Sequence, residues 1–302
     1  MIPEFPKFKK LELSDKEAVE SFTSKYLPYS DFNFTSLWSW NIKDQMQISK
    51  LEGNLAVKFN DYVTGKPFYS FLGAENASVA AQKLLDLSAS EGLVPELKLL
   101  AEETVKVINP DTFIISEDRD NFDYFLAIER LKNFEGGKFV SKRNYLKQFK
   151  NAYTPEIKVI NLSDQSIKDQ IIKLFNLWKA HKVLKASYNR HEFESLSRFL
   201  QLPSYKSFIS IGIFLENKII AFWLLEKINA DTCISHYEKA DSWKYRGIYP
   251  YLVNETAKIL DKQKIKYINF EQDLGIAGLR ESKKSYFPYG YLKQFTISYR
   301  TS

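Results

Sequence analysis

Apolar positions along the chain switch between a helical and a strand-like period, and the order of switching occurs twice. Residues 14–26 place Ala18, Phe22 and Tyr26 on one helical face, behind Ser14 and Glu17 at the spacing of a capping box. An aromatic segment follows at residues 32–40. Runs at 46–51, 55–60 and 68–72 read as strands, the first two joined by Glu52, Gly53 and Asn54, which predicts an antiparallel meander. Asn76 then opens a helix through Ala80, Leu84 and Leu87, and Gly92 ends it.

The second half repeats this order. Strands are predicted at 207–215 and 219–228 around a turn at Glu216 and Asn217, with a third at 231–239. Gly247 and Pro250 introduce a helix through Leu252, Thr256, Ile259 and Leu260, and the chain returns as a strand over 266–272. A short Gly-flanked helix and a last strand, 291–299, are expected to finish this half. No residue-by-residue repeat accompanies the repeated order. The fold class is therefore α/β (α+β), with a boundary expected where Gly136 and Gly137 break a helix. That gives domains 1–135 and 136–302, the helix over 164–180 starting the second core with Ile167, Ile171, Leu174 and Trp178 on one stripe.

Length and composition agree with two cores: 302 residues, 44% hydrophobic and 15% aromatic, exceed what one core usually serves. The net charge of +6, from 43 basic and 37 acidic residues, permits an anionic partner without demanding one. A single cysteine, Cys233, and no charged-apolar-small leader point to a reducing cytoplasm. No apolar run approaches the roughly 20 residues of a membrane span, so any membrane contact is expected to be peripheral.

Candidate chemistry gathers after Gly136. On a helix through 138–150, Arg143, Lys147 and Lys150 share a wet side with Asn144 beside them, whereas Lys142 projects from the apolar stripe of Tyr145, Leu146 and Phe149. Lys142 either snorkels to solvent or points into a cleft to meet an anion. Arg246 and Gly247 precede the helix that begins near Tyr249, where free backbone N–H groups at the positive end of a helix dipole make a phosphate or carboxylate cradle in principle. Alternation places Asn269, Glu271 and Asp273 on one strand face, and His236 and Glu238 on one face of the neighbouring strand. Glu238, Glu271 or Asp273 is then a base or an amine anchor, or else salt-bridges to Arg246, Arg280, Lys283 or Lys284. His181, His191 and His236 lack metal-ligand spacing, and no Walker loop, dinucleotide fingerprint or G-x-S-x-G elbow is present, so neither a metal nor a tightly bound cofactor is expected.

Taken together, residues 137–149, His236 through Asp241, Arg246 through Pro250, and Glu271 through Arg280 resemble the family that carries the phosphatidylglycerol lysyltransferase C-terminal domain, in particular its soluble bacterial members. The resemblance spans nearly the whole chain. It implies tandem GNAT (acyl-CoA N-acyltransferase) folds, shared with Fem-type transferases that use aminoacyl-tRNA. In such folds two central parallel strands splay, the donor's acyl arm lies in the gap, and its phosphates meet the following helix N-terminus. Here the strands would be 231–239 and 266–272. Arg246 and Gly247 stand where the family's loop carries a second glycine that this chain lacks, which argues against ordinary acyl-CoA binding.

The expected function is an aminoacyl- or acyltransferase, with aminoacyl-tRNA favoured over acyl-CoA as cosubstrate and an unspecified acceptor. Glu238, Glu271 or Asp273 would take the proton, while Lys142, Arg143, Asn144, His236, Arg246, Gly247, Tyr249 and Arg280 would bind the donor. Arg143, Lys147, Lys150, Lys283 and Lys284 supply the exposed cations that a polyanionic donor needs. A non-catalytic protein keeping the cleft for an anionic ligand is the alternative.

Overall fold

The computed structural model describes residues 1–181 and 191–300. Its strands, in chain order, are β1 (Lys9–Lys10), β2 (Gln47–Leu51), β3 (Asn54–Asn60), β4 (Pro67–Leu72), β5 (Glu96–Ala101), β6 (Phe113–Glu117), β7 (Asp123–Ala127), β8 (Glu156–Val159), β9 (Phe208–Leu215), β10 (Lys218–Lys227), β11 (Thr232–Ala240), β12 (Tyr267–Asn269), β13 (Gly290–Leu292) and β14 (Gln294–Tyr299). The helices are α1 (Lys16–Thr23), α2 (Phe34–Ser39), α3 (Ala77–Ser90), α4 (Glu102–Val105), α5 (Ile128–Asn133), α6 (Val140–Ala152), α7 (Gln165–His181), α8 (Glu192–Phe199), α9 (Ile248–Lys262) and α10 (Ala277–Lys284). The first helix starts two residues later than its expected capping box. The box that forms is Glu12 with Asp15, because the Asp15 carboxylate accepts the Glu12 N–H.

These elements build two mixed sheets, ordered β1-β2-β3-β4-β5-β14-β6 and β13-β7-β12-β11-β10-β9-β8. The sequence read 291–299 as one strand of the second half. Instead the chain crosses at Lys293: β13 pairs with β7 in the second sheet, and β14 inserts between β5 and β6 in the first. β7 makes the reverse exchange, pairing with β12. A cut after residue 135 therefore leaves one strand of each half in the other's sheet. Each sheet is covered on both faces, which is why β10 reads as a continuous apolar run rather than an alternating one.

In each sheet one parallel pair sits at the centre. β4 and β5 share a single register pair, Tyr69 with Leu97, and the space beyond is closed: Tyr29 hydroxyl accepts the Glu102 N–H at 3.1 Å and donates to Glu103 at 2.9 Å, while Thr104 Oγ1 donates to the Gly73 carbonyl at 2.7 Å. β11 and β12 pair through Thr232–Tyr267, Cys233–Ile268 and Ile234–Asn269, then part. The sheets are stitched by two buried carboxylates. Asp123 accepts from Ser30 N, Ser30 Oγ and Asn269 Nδ2, and Asp31 accepts from Tyr62, Gln272 and Gln294. Among the described residues no helix is long and apolar enough to cross a membrane.

Candidate functional site

The second gap opens because β12 is shorter than its alternation suggests. Asn269 Oδ1 accepts the Glu271 N–H at 2.8 Å, Glu271 takes a left-handed φ of 56°, and the strand stops after Asn269. The expected common face of Asn269, Glu271 and Asp273 is thereby broken. Asn269 turns to Asp123, while Glu271 keeps 23% of its side chain exposed at the gap.

β11 carries on past this point and supplies Glu238. Its Oε1 is shut off from solvent and has no hydrogen-bond partner among the described residues. Loss of hydration raises the Glu238 carboxyl to about 7, although Lys239, Lys142 and Lys283 pull the other way. Lys142, from α6, donates to Ser285 Oγ at 2.7 Å and lies 3.9 Å from the centre of the Tyr286 ring. Burial lowers its pKa to about 8, with Glu238 opposing. Tyr249, in the first turn of α9, is held by the Ala240 backbone and the Trp178 side chain; burial raises its hydroxyl above the ordinary range, and Glu238 is near enough to raise it further.

Around this carboxylate the gap holds groups that sequence reasoning missed. Lys283 was expected among the exposed cations; it is 7% exposed and donates to the Phe270 carbonyl. It lies on a short helix rich in charge, a pattern indistinguishable from that of a solvated one. Desolvation lowers it to about 8 against the pull of Glu271, Asp123, Asp273 and Glu238. Lys239 pairs with Glu192 at 2.8 Å and sits 4.4 Å from the Trp178 ring centre. Tyr286 is buried beneath Lys142.

His236 and Glu238 do not share a face. Leu224 pairs with Tyr237 and Leu225 with Ser235, so His236 is the extra residue of a β-bulge. The bulge turns His236 to the side of Tyr237, both rings lying 5.4 Å from that of Phe199. Glu238, opposite Trp223, faces the α6 and α10 side.

The remaining expected site residues are placed elsewhere or otherwise engaged. Asp273 is fully buried and accepts from Arg280 Nε at 2.9 Å, Arg280 NH2 at 2.7 Å, Tyr124 at 2.6 Å and Gly275 N at 3.0 Å. Those donors hold it below the usual carboxylate range despite burial, so it forms the salt bridge left open by the sequence and has no basicity to spare. Arg280, bound also to Asp120, is equally occupied. Arg143 closes the turn before α6 by donating to the Phe134 and Gly136 carbonyls. Asn144 is exposed; Arg246 is exposed with its guanidinium 5.2 Å from the Tyr145 ring centre. Gly247 caps α9 at φ 87°, its Cα pressed against α6 at Tyr145 and Phe149. The close approach that demands glycine here is to a protein helix, with no phosphate required to explain it.

Mixed sheets flanked by helices, with central parallel strands parting around ionisable side chains, define a GNAT-like α/β fold. The chain matches the family described as phosphatidylglycerol lysyltransferase, C-terminal, over residues 24–297, and belongs to it. It is similar to the crystal structure of a conserved protein of unknown function from Bacteroides thetaiotaomicron, at 26% identity and a TM-score of 0.80, covering 99% of this chain and 100% of that one. The L-PGS structure from Bacillus licheniformis shares the fold at 13% identity and a TM-score of 0.61, covering 99% and 94%. FemX shares it at 12% identity and a TM-score of 0.53, covering 96% of both chains. Among curated protein sequences none matches. Membership of this family makes the protein acyltransferase-like.

Proposed function

We propose that the protein transfers an aminoacyl group from aminoacyl-tRNA to an acceptor nucleophile, with Glu238 as the proton acceptor. The observation that carries this reading is the unpartnered Glu238 Oε1 beside the place where β11 and β12 separate. A carboxylate raised to about 7 accepts a proton at neutral pH with little driving force lost, as a general base requires. The nucleophile attacks the ester carbonyl as its proton passes to Glu238, and the Lys142 ammonium offers positive charge to the oxyanion that forms. No covalent enzyme intermediate is needed.

The preference for a tRNA-type donor rests on Gly247, whose close backbone contact is taken up by α6. Lys147, Arg246 and Lys284 remain as exposed cations for a polyanion, Arg143 and Lys283 being engaged within the fold. Binding of charged tRNA across a salt series tests the donor. Each phosphate contact adds about one unit to the slope of log affinity against log salt, so replacing Lys147 and Arg246 by Gln should lower the slope by about two. Absence of charged-tRNA binding at low salt, alongside acyl-CoA binding, would overturn the donor assignment.

A further inference from the structure

Behind the gap, Glu226, His236 and Glu271 stand in line. His236 Nε2 lies 3.2 Å from Glu226 Oε2, and its Nδ1 lies 3.8 Å from Glu271 Oε1. Glu226, 2% exposed on β10, is fixed by Asn33 Nδ2 at 3.1 Å and Ser207 Oγ at 3.3 Å. His236 holds Glu226 below the usual carboxylate range despite its burial. Glu226 is therefore the ionised partner and accepts from Nε2. In its neutral form the imidazole has one N–H, and that form leaves Nδ1 bare and directed at Glu271. The separation of 3.8 Å is longer than a hydrogen bond, and a small side-chain rotation of Glu271 would close it.

We propose that Glu271 and His236 Nδ1 hold one exchangeable proton between them, and that Glu271 delivers it to the atom departing from the acyl donor, with His236 as its positioning residue. This rests on the acyl-transfer reading in which Glu238 is the base. As the bond from acyl carbon to nucleophile forms, Glu238 takes the nucleophile's proton. As the bond to the leaving atom breaks, Glu271 supplies a proton to that atom and is left as carboxylate beside His236. Glu238 then releases its proton to water and the Glu271–His236 pair regains one from water, so protons balance over the cycle.

The surroundings suit Glu271 to the acid role. Burial holds it well above the ordinary carboxylate range; Lys283 from α10 and Lys239 from β11 pull it down, while Asp123 from β7 and Asp31 from the turn before α2 push it up. Lys239 and Lys283 act on Glu271 and on Glu238 alike, so a carboxylate with an unpartnered oxygen and one backed by an imidazole lie within reach of the same two ammonium groups, an arrangement that can divide acid from base.

Long-range 1H–15N spectra of the full chain labelled in histidine test the pairing without any donor or acceptor, His236 being assigned through His236→Gln. Neutral His236 is expected as the Nε2–H tautomer in the unmodified protein, with an Nδ1 resonance that moves in Glu271→Gln. An Nδ1–H tautomer, or an Nδ1 resonance that Glu271→Gln leaves in place, overturns the proposal. With charged tRNA as donor, Glu271→Gln should slow transfer by about 100-fold or more and, with His236→Gln, remove the alkaline limb of the pH profile. An unchanged alkaline limb in both variants, with Glu238→Gln still inactive, overturns the acid assignment and leaves Glu238 as base. No transfer by the unmodified protein from either donor class would instead defeat the acyl-transfer reading, whatever the tautomer.

Discussion

A methyl group on the Gly247 Cα would stand 2.9 Å from the Tyr145 carbonyl carbon and 3.3 Å from the Phe149 Cβ. The backbone there has φ 87°, which a side chain rarely adopts, so crowding and conformation act in the same direction. Gly247→Ala should therefore cost about 1–3 kcal/mol, read as a lower urea midpoint at unchanged slope. An unshifted midpoint would mean that α6 gives way freely, and that the glycine has another purpose.

The buried Asp31 carboxyl is raised to about 7, first by desolvation and then by the charge of Asp123, while donors from Gln294, Tyr62 and Gln272 pull it back. A group whose folded pKa exceeds its unfolded value of 3.8 binds more protons in the folded state. Its stabilising contribution is complete below 3.8 and is lost as pH rises to about 7. Asparagine mimics the protonated form. Asp31→Asn should accordingly gain stability relative to the unmodified protein across that window, in chemical denaturation at a series of pH values. Parallel stability curves would contradict a proton held between the two sheets.

Cys233 lies at the parallel seam of the second sheet, fully buried, its thiol pushed up to about 12 by desolvation. As the chain's single cysteine it reports opening of that seam. A thiol reagent at pH 8 should leave the native protein unlabelled and react fully in denaturant, at a rate governed by opening of the second core. Rapid native labelling would show that the strands flanking the site separate locally.

The meander and helix of the second half were legible to within a few residues: 207–215, 219–228 and 231–239 correspond to β9, β10 and β11. Local periodicity suffices where consecutive strands pair with their neighbours. It failed for β14, whose partners β5 and β6 lie nearly two hundred residues earlier, because nothing local to residues 294–299 says which sheet will receive them. It failed again at Glu271, where an asparagine side chain captures the backbone and ends an apparently continuous alternation. The bulge at His236 was invisible for a related reason: skipping one residue leaves the composition of β11 unchanged while turning histidine and glutamate to opposite sides. Lys283 shows the limit for single side chains, since a lysine buried against Phe270 and one on a wet face have the same neighbours in sequence.

The most direct measurement is single-turnover loss of the aminoacyl group from charged tRNA by the unmodified protein and by Glu238→Gln, with folding of the variant checked by its denaturation midpoint. Removing a general base costs about 10²–10⁴ in rate, and glutamine keeps the shape while ending the basicity. Glu238→Gln should lose at least 100-fold in rate with charged-tRNA affinity preserved. Equal rates for the two proteins, or charged tRNA bound and never turned over by either, would contradict it, the latter leaving a protein that only holds its anionic ligand.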